Sequence, residues 1–194
     1  TDLFFREQFQ QSLPPIIRQI FPYRLLIFSS ETQITAVIHE SFHVYQAQVA
    51  AAPFAAAQAA YAQDERYWAA DAAMHEAWTQ EVELLVQASH AQTDAEAVSK
   101  AREFLALRAG RRAGLDPALV DYECRTEWLE GLAKHAELEA WRRAAESEGY
   151  LPLAEMDAAP HFARYRNFSQ HSQQELQQLR RQATLEGDVR FYYT

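Results

Sequence analysis

The sequence predicts a mainly α-helical protein with a single domain and little or no β-sheet, and three observations support this prediction. Glycine is scarce, with 5 in 194 residues, while alanine, the strongest helix former, is abundant. Helix-start signals recur along the chain as a Ser, Thr or Asp followed by Glu or Gln three positions later, or directly by proline. A chain of this length is also long enough to bury the core of one domain.

The first clear helix is predicted over about 31–51. Ser30 and Gln33 form a capping box, with Ser30 as the N-cap residue, and apolar residues then recur at helical spacing. Pro53 is predicted to end this helix. Further helices are predicted from start or stop signals at about Pro53–His90, with a break near Gln63–Asp64, and at about Thr93–Ala113, Asp116–Glu148 and Ser172–Gly187. Two earlier segments have weaker signals: a helix or arm over roughly 1–20 and an apolar, strand-like segment at Tyr23–Phe28.

Composition argues against several kinds of partner. The formal net charge is -9, whereas a nucleic-acid binder needs a basic face. No stretch approaches the roughly 18 apolar residues of a membrane span. Cys124 is the only cysteine, so no intrachain disulfide can form. Arg111 and Arg112 are expected on a solvated face.

The chain begins at Thr1 rather than Met and ends on the apolar Arg190–Thr194, so we expect a piece of a longer protein, with a removed leader as one explanation.

His39, Glu40 and His43 form an HExxH motif inside the first clear helix. Residues four apart lie one above the other on one helix face, so the two imidazoles can bind one metal ion, which suits zinc. Glu40 neighbours that face and can take a proton from a metal-bound water instead of binding the metal. Without a metal, the two histidines would simply be polar residues on a buried helix.

A catalytic zinc site usually has a third protein ligand, and the segment Thr126–Glu139 offers the best candidates. Glu127 and Glu130 lie three apart and are expected to share a helix face. Glu130 precedes Gly131, and a glycine inside a helix costs about 1 kcal/mol relative to alanine, which is easier to explain if another helix passes close by. From the residues alone Glu130 is one acidic candidate among several. Glu127 is its alternative, either as a ligand or as a partner that orients a ligand histidine.

At these two motifs the sequence resembles the gluzincin zinc metallopeptidases, most closely the aminopeptidase N-like group and more distantly thermolysin. The resemblance rests on HExxH and on Trp128–Ala133, and it covers roughly a tenth of the chain. It implies a zincin-like helical domain in which the HExxH helix packs against the long helix that carries Glu130. It also implies that zinc is bound by the two histidines and Glu130, with Glu40 as general base. Leu129 stands where the family has Asn, and about 54–113 would be a helical insertion between the motifs.

The resemblance further implies a Tyr or His, downstream of the third ligand, that donates a hydrogen bond to the developing oxyanion. Tyr192 and Tyr193 are our candidates for this catalytic role, and Tyr165, His161 and His171 are the alternatives. Since the chain has 9 tyrosines, most of them are expected to be packing residues.

The sequence therefore predicts a zinc-dependent metallopeptidase that hydrolyses a peptide or protein substrate through a zinc-bound water activated by Glu40. The alternative is a catalytically inactive, metallopeptidase-like helical binding or scaffold protein. A di-iron helical bundle is disfavoured because it needs Glu-x-x-His on two helices. Glu40 and His43 supply one such pair, and no other histidine has Glu three residues before it.

Overall fold

A computed structural model describes residues 29–68, 72–158 and 162–182. These residues form helices joined by short turns, with no strand among them, so the mainly α prediction is confirmed. In chain order the α-helices are α1 (Ser30–Val49), α2 (Ala51–Ala60), α3 (Asp64–Trp68), α4 (Ala72–Ser89), α5 (Asp94–Ala113), α6 (Pro117–Thr126), α7 (Leu132–Glu146), α8 (Ala154–Asp157) and α9 (Phe168–Gln182). The arm predicted over 1–20 and the strand-like Tyr23–Phe28 lie outside the described residues.

Two of the predicted helix starts are confirmed by their capping hydrogen bonds. The hydroxyl of Thr93 accepts from the backbone N–H of Glu96 at 3.2 Å at the start of α5. The carboxylate of Asp116 accepts from the N–H of Ala118 at 2.8 Å, and Pro117 occupies the first turn of α6. Proline is well placed there because N–H groups of a first turn have no partner within the helix.

Two other starts differ from the prediction. Helix α1 is capped by Ser29, whose hydroxyl accepts from the N–H of Thr32 at 3.2 Å, and Ser30 is already helical. The reason is that Ser29 has the extended backbone (φ -60°, ψ 156°) that an N-cap residue requires. Helix α9 begins at Phe168, one turn before Ser172, since helical backbone hydrogen bonds already form in that turn.

The first helix ends shortly before Pro53, and Pro53 itself belongs to the next helix. Helix α1 ends at Val49, and Ala50 leaves the helical conformation with φ -140°. Pro53 lies in the first turn of α2, where its missing N–H removes no intrahelical hydrogen bond.

The predicted helix over Asp116–Glu148 contains a feature that its sequence did not indicate. Between α6 and α7, the residues Glu127–Gly131 form a π-helical turn. A π turn is wider than an α turn because its hydrogen bonds span five residues instead of four, and such turns are frequent at functional sites. This turn carries Glu130.

Helix packing places the two motif segments side by side. Helix α1 packs along α7, while α2 contacts α6 and the π turn. Helices α2–α5 fill the chain between the motifs, and α4 with α6 supplies much of the apolar core. The buried core residues are Tyr67, Trp78, Val82, Val86, Leu119, Tyr122 and Leu179. Among the described helices, none combines the length and the apolarity that crossing a membrane requires.

Candidate metal centre

The side chains of His39, His43 and Glu130 converge between α1 and the π turn. Each offers one ligand atom, and the three atoms all lie within 4.8 Å of one another. The Nε2 atom of His39 is 3.4 Å from Oε2 of Glu130, and Nε2 of His43 is 3.6 Å from the same oxygen. The side chains are only 10%, 18% and 11% exposed. Packing of the two motif helices thus brings together the three residues that the sequence analysis named as zinc ligands.

The donor set fits zinc, and so do the two separations that involve Glu130. Zinc binds histidine nitrogen at about 2.0–2.1 Å and carboxylate oxygen at about 2.0–2.2 Å in tetrahedral geometry. Two ligand atoms of such a tetrahedron lie roughly 3.3–3.5 Å apart, close to the 3.4 and 3.6 Å between the imidazole nitrogens and Glu130. Three protein ligands are also the number that catalytic zinc sites use.

A carboxylate of α7 contacts His39 at Nδ1, the ring nitrogen that does not face Glu130. Its Nδ1 atom lies 3.4 Å from Oε2 of Glu137, whose other oxygen accepts from Lys134 Nζ at 3.0 Å. A carboxylate on one ring nitrogen favours a proton there and leaves the lone pair on the other nitrogen for a metal. Glu137 was not among the residues predicted from the sequence. Its position seven residues, or two turns, after Glu130 was the available signal.

A side-chain amide contacts His43 at Nδ1, the ring nitrogen that does not face Glu130. Its Nδ1 atom lies 2.9 Å from Oε1 of Gln46, and Gln46 is 2% exposed. Each of the two imidazoles therefore has an oxygen on the side that faces away from Glu130. Gln46 was also missed, although it lies three residues after His43 and hence on the same helix face.

Glu130 has a third contact that no sequence signal predicted. The hydroxyl of Tyr61, in the 3₁₀ turn Tyr61–Gln63 after α2, donates to Oε1 of Glu130 at 3.1 Å. One carboxylate oxygen is thereby oriented by Tyr61, and the other faces the two imidazoles. The contact joins residues 69 positions apart, so only tertiary packing creates it.

The electrostatics of the site follow from these contacts. Burial opposes the charge on His39, but hydrogen bonds to Glu130 and Glu137 outweigh it and raise the pKa of this imidazole to about 9. Burial likewise opposes the charge on Glu130, yet His39 and His43 lower its pKa to about 2. In the protein alone, this raised pKa keeps a proton on His39, which contacts the carboxylates of Glu130 and Glu137. Zinc requires a neutral imidazole, so metal binding displaces that proton.

Glu127 belongs to a different cluster. Its carboxylate lies 2.9 Å from Arg108 Nη1 and 2.9 Å from Arg112 Nη2, both on α5. The expectation that Glu127 and Glu130 share a face assumed an α-helix. In the wider π turn each residue advances by a smaller angle, so a step of three no longer returns to the same face. Burial raises the pKa of Glu127, against the lowering effect of the two arginines.

The same ionic cluster corrects the prediction for Arg111 and Arg112. The side chain of Arg111 is 3% exposed and lies between Glu81 and Glu123, which are both 0% exposed. Arg112, at 22% exposure, bonds to Glu123 and Glu127. These arginines face the interior because carboxylates of α4 and α6 converge on them, which a sequence pattern on α5 alone does not reveal.

The remaining predicted site residues are distributed as follows. Glu40 follows His39 on α1 and is exposed to solvent. Tyr192, Tyr193 and His161 lie outside the described residues. Two of the alternatives for the oxyanion donor make ring contacts with a buried tryptophan: Tyr165 packs edge-on against Trp141, and His171 stacks on Trp141 with ring centroids 3.7 Å apart.

No protein-family model, no curated protein and no solved structure matches this chain. The class of protein therefore follows from the described residues alone. They form a helical domain with a candidate metal site made of two histidines and one glutamate.

Proposed function

We propose that this chain is a zinc-dependent metallopeptidase that binds zinc through His39, His43 and Glu130. The observation that carries the proposal is the convergence of the three ligand atoms within 4.8 Å. It is supported by the oxygen that faces each imidazole from behind. The order of the motifs along the chain, HExxH first and a Glu-Gly helix later, is the order of the gluzincins that the sequence resembles.

The residues around the ligands suit hydrolysis of a peptide bond. Bound zinc would polarise the substrate carbonyl and lower the pKa of a coordinated water. Glu40 follows His39 directly and is open to solvent, and we infer that it takes the proton of the attacking water and passes it to the leaving amine. Tyr61 fixes the orientation of the Glu130 carboxylate. The substrate that matches this chemistry is a peptide or protein.

A second candidate is a helical binding protein that keeps this architecture without activity. One observation favours it: α1 presents large apolar side chains to solvent, each at least half exposed. They are Val37, Val44, Tyr45 and Val49. A patch of exposed apolar side chains is more often a surface that binds other molecules than a surface without a partner.

Metal analysis combined with four single substitutions tests the proposal. The purified protein should contain about one zinc per chain, and Glu40→Gln should abolish hydrolysis of a mixed peptide library while keeping the metal. Glu148→Gln, which changes an exposed glutamate in the same way, should leave both unchanged. His39→Ala and Glu130→Ala should each lose the metal.

Two results would decide against the enzyme. A protein without metal after mild purification, and without affinity for added zinc, would remove the zinc site itself. A protein that holds zinc but hydrolyses no peptide, with or without Glu40, would instead support the binding protein.

A further inference from the structure

Gln46 connects the candidate metal site to the π turn. It lies on α1 one turn after His43 and is 2% exposed. Its Oε1 atom is 2.9 Å from Nδ1 of His43. Its Nε2 atom donates to the backbone carbonyls of Trp128 at 3.0 Å and Leu129 at 3.2 Å. Both carbonyls belong to the turn that presents Glu130.

These contacts leave one orientation for the amide. Carbonyl oxygens can only accept hydrogen bonds, so the two N–H groups of Gln46 must face Trp128 and Leu129. The amide oxygen then faces His43, and an oxygen without a proton can only accept. Nδ1 of His43 must therefore carry a proton, and in the neutral ring the lone pair is on Nε2, the atom that faces Glu130.

The π turn supplies the acceptors for this arrangement. Where α-helical bonding changes to π bonding, the ladder of backbone hydrogen bonds changes register. Carbonyls at such a point are open to a donor from a neighbouring helix. Gln46 is such a donor, because its contacts with Trp128 and Leu129 span 82 and 83 residues of the chain. The same amide thus ties the helix of two ligands to the turn of the third.

We propose that Gln46 is a positioning residue of the metal site, which holds His43 with Nε2 free for the metal and sets the spacing between α1 and the π turn. The inference rests on the proposed zinc function. His39 has a carboxylate, Glu137, in the corresponding place. The two histidines therefore reach one metal ion with different partners behind them, one anionic and one neutral.

Gln46→Met tests the inference, because methionine has a similar length but makes none of the three hydrogen bonds. Gln48→Met, two residues further on and exposed, is the matched control. Zinc affinity, measured by competition with a chelator, should fall roughly 10- to 100-fold in Gln46→Met, the effect typical of losing such a contact. It should not change in Gln48→Met.

A second readout separates positioning from a merely structural role. In the zinc-loaded protein, the Nδ1 proton of His43 should be visible by NMR and exchange slowly with water, whereas in Gln46→Met it should exchange fast. Gln46→Glu keeps an oxygen for His43 and gives up both bonds to the π turn. It should preserve slow exchange and, where both variants fold, keep more zinc affinity than Gln46→Met. If the methionine variant does not fold, Gln46→Glu serves as the test, and fast exchange of the His43 Nδ1 proton in it would overturn the role of Gln46.

The outcomes of these experiments are distinguishable. Two results in Gln46→Met would overturn the role of Gln46 alone. One is a zinc affinity equal to that of the unsubstituted protein, and the other is an Nδ1 proton of His43 that still exchanges slowly. Absence of zinc binding in the unsubstituted protein would overturn this role together with the proposed function.

Discussion

Replacing Glu137 by glutamine should weaken zinc binding while leaving all three ligands in place. Glu137 contacts His39 on the side away from Glu130, with 3.4 Å between Oε2 and Nδ1. Loss of such a partner typically lowers metal affinity roughly 10- to 100-fold. The lower end applies here for two reasons: the contact is long, and Lys134 already shares the charge of Glu137. Glutamine also retains an oxygen for the imidazole N–H. We therefore expect a loss of about tenfold, or about 1.4 kcal/mol.

Thermal unfolding with and without zinc measures this change. At free zinc about 100 times the dissociation constant of the unsubstituted protein, binding stabilises the fold by about 2.7 kcal/mol. For a chain of this size that corresponds to a rise in Tm of roughly 5–11 °C. At the same zinc concentration Glu137→Gln should gain only about 1.4 kcal/mol, or roughly 3–6 °C.

Glu139→Gln is the matched control for this experiment. Glu139 lies on the same helix and undergoes the same chemical change, but its carboxylate pairs with Arg142 and Arg143 at the surface. It should show the full zinc-dependent rise in Tm. If Glu137→Gln showed the same rise as Glu139→Gln, Glu137 would have no part in holding His39 for a metal, and the reasoning would be refuted.

Two further predictions concern stability. Arg111→Met leaves Glu81 and Glu123, both 0% exposed, as buried charges without this partner, so denaturant unfolding should show a loss of about 3–5 kcal/mol. Arg143→Met, at a side chain 76% exposed, should change stability by less than about 0.5 kcal/mol, and equal effects would contradict the buried cluster. In metal-free protein, His39 has a pKa of about 9, above the ordinary 6.5. Its stabilising effect should be fully present below pH 6.5 and be lost as the pH rises through 9. Saturating zinc should reduce that loss because it binds the neutral imidazole, and parallel pH profiles with and without zinc would argue against a metal on His39.

Local features of this protein were predictable from local sequence. Thr93 and Asp116 cap their helices as expected, because a capping side chain bonds to a backbone group only two or three residues away. The pairing of His39 with His43 follows from the same kind of short-range geometry, one turn of one helix. The shift from Ser30 to Ser29 shows the limit of such signals, since adjacent serines offer the same chemistry and the backbone conformation chooses between them.

The third member of the candidate metal site was predictable only in part. The residues alone left Glu130 and Glu127 as alternatives, and the resemblance to gluzincins favoured Glu130. The structure separates the two residues through the π turn, which directs Glu127 to Arg108 and Arg112 and Glu130 to the histidines. No pattern in the sequence indicated a π turn. Four of its five residues are accommodated in an α-helix, and Gly131, the exception, indicated only the close approach of another helix.

By itself the sequence determined the helical class, the starts of α5 and α6, and the two histidines with an adjacent glutamate. Tertiary structure alone decided which groups contact the outer ring nitrogens of those histidines and which group contacts Glu130. Gln46 reaches the π turn across 82 residues of chain, and Tyr61 reaches Glu130 across 69. Such contacts depend on how α1 packs along α7 and how α2 packs on α6 and the π turn. That packing is set by the summed burial of many side chains, whereas a cap or an i, i+4 pair depends on one turn of backbone.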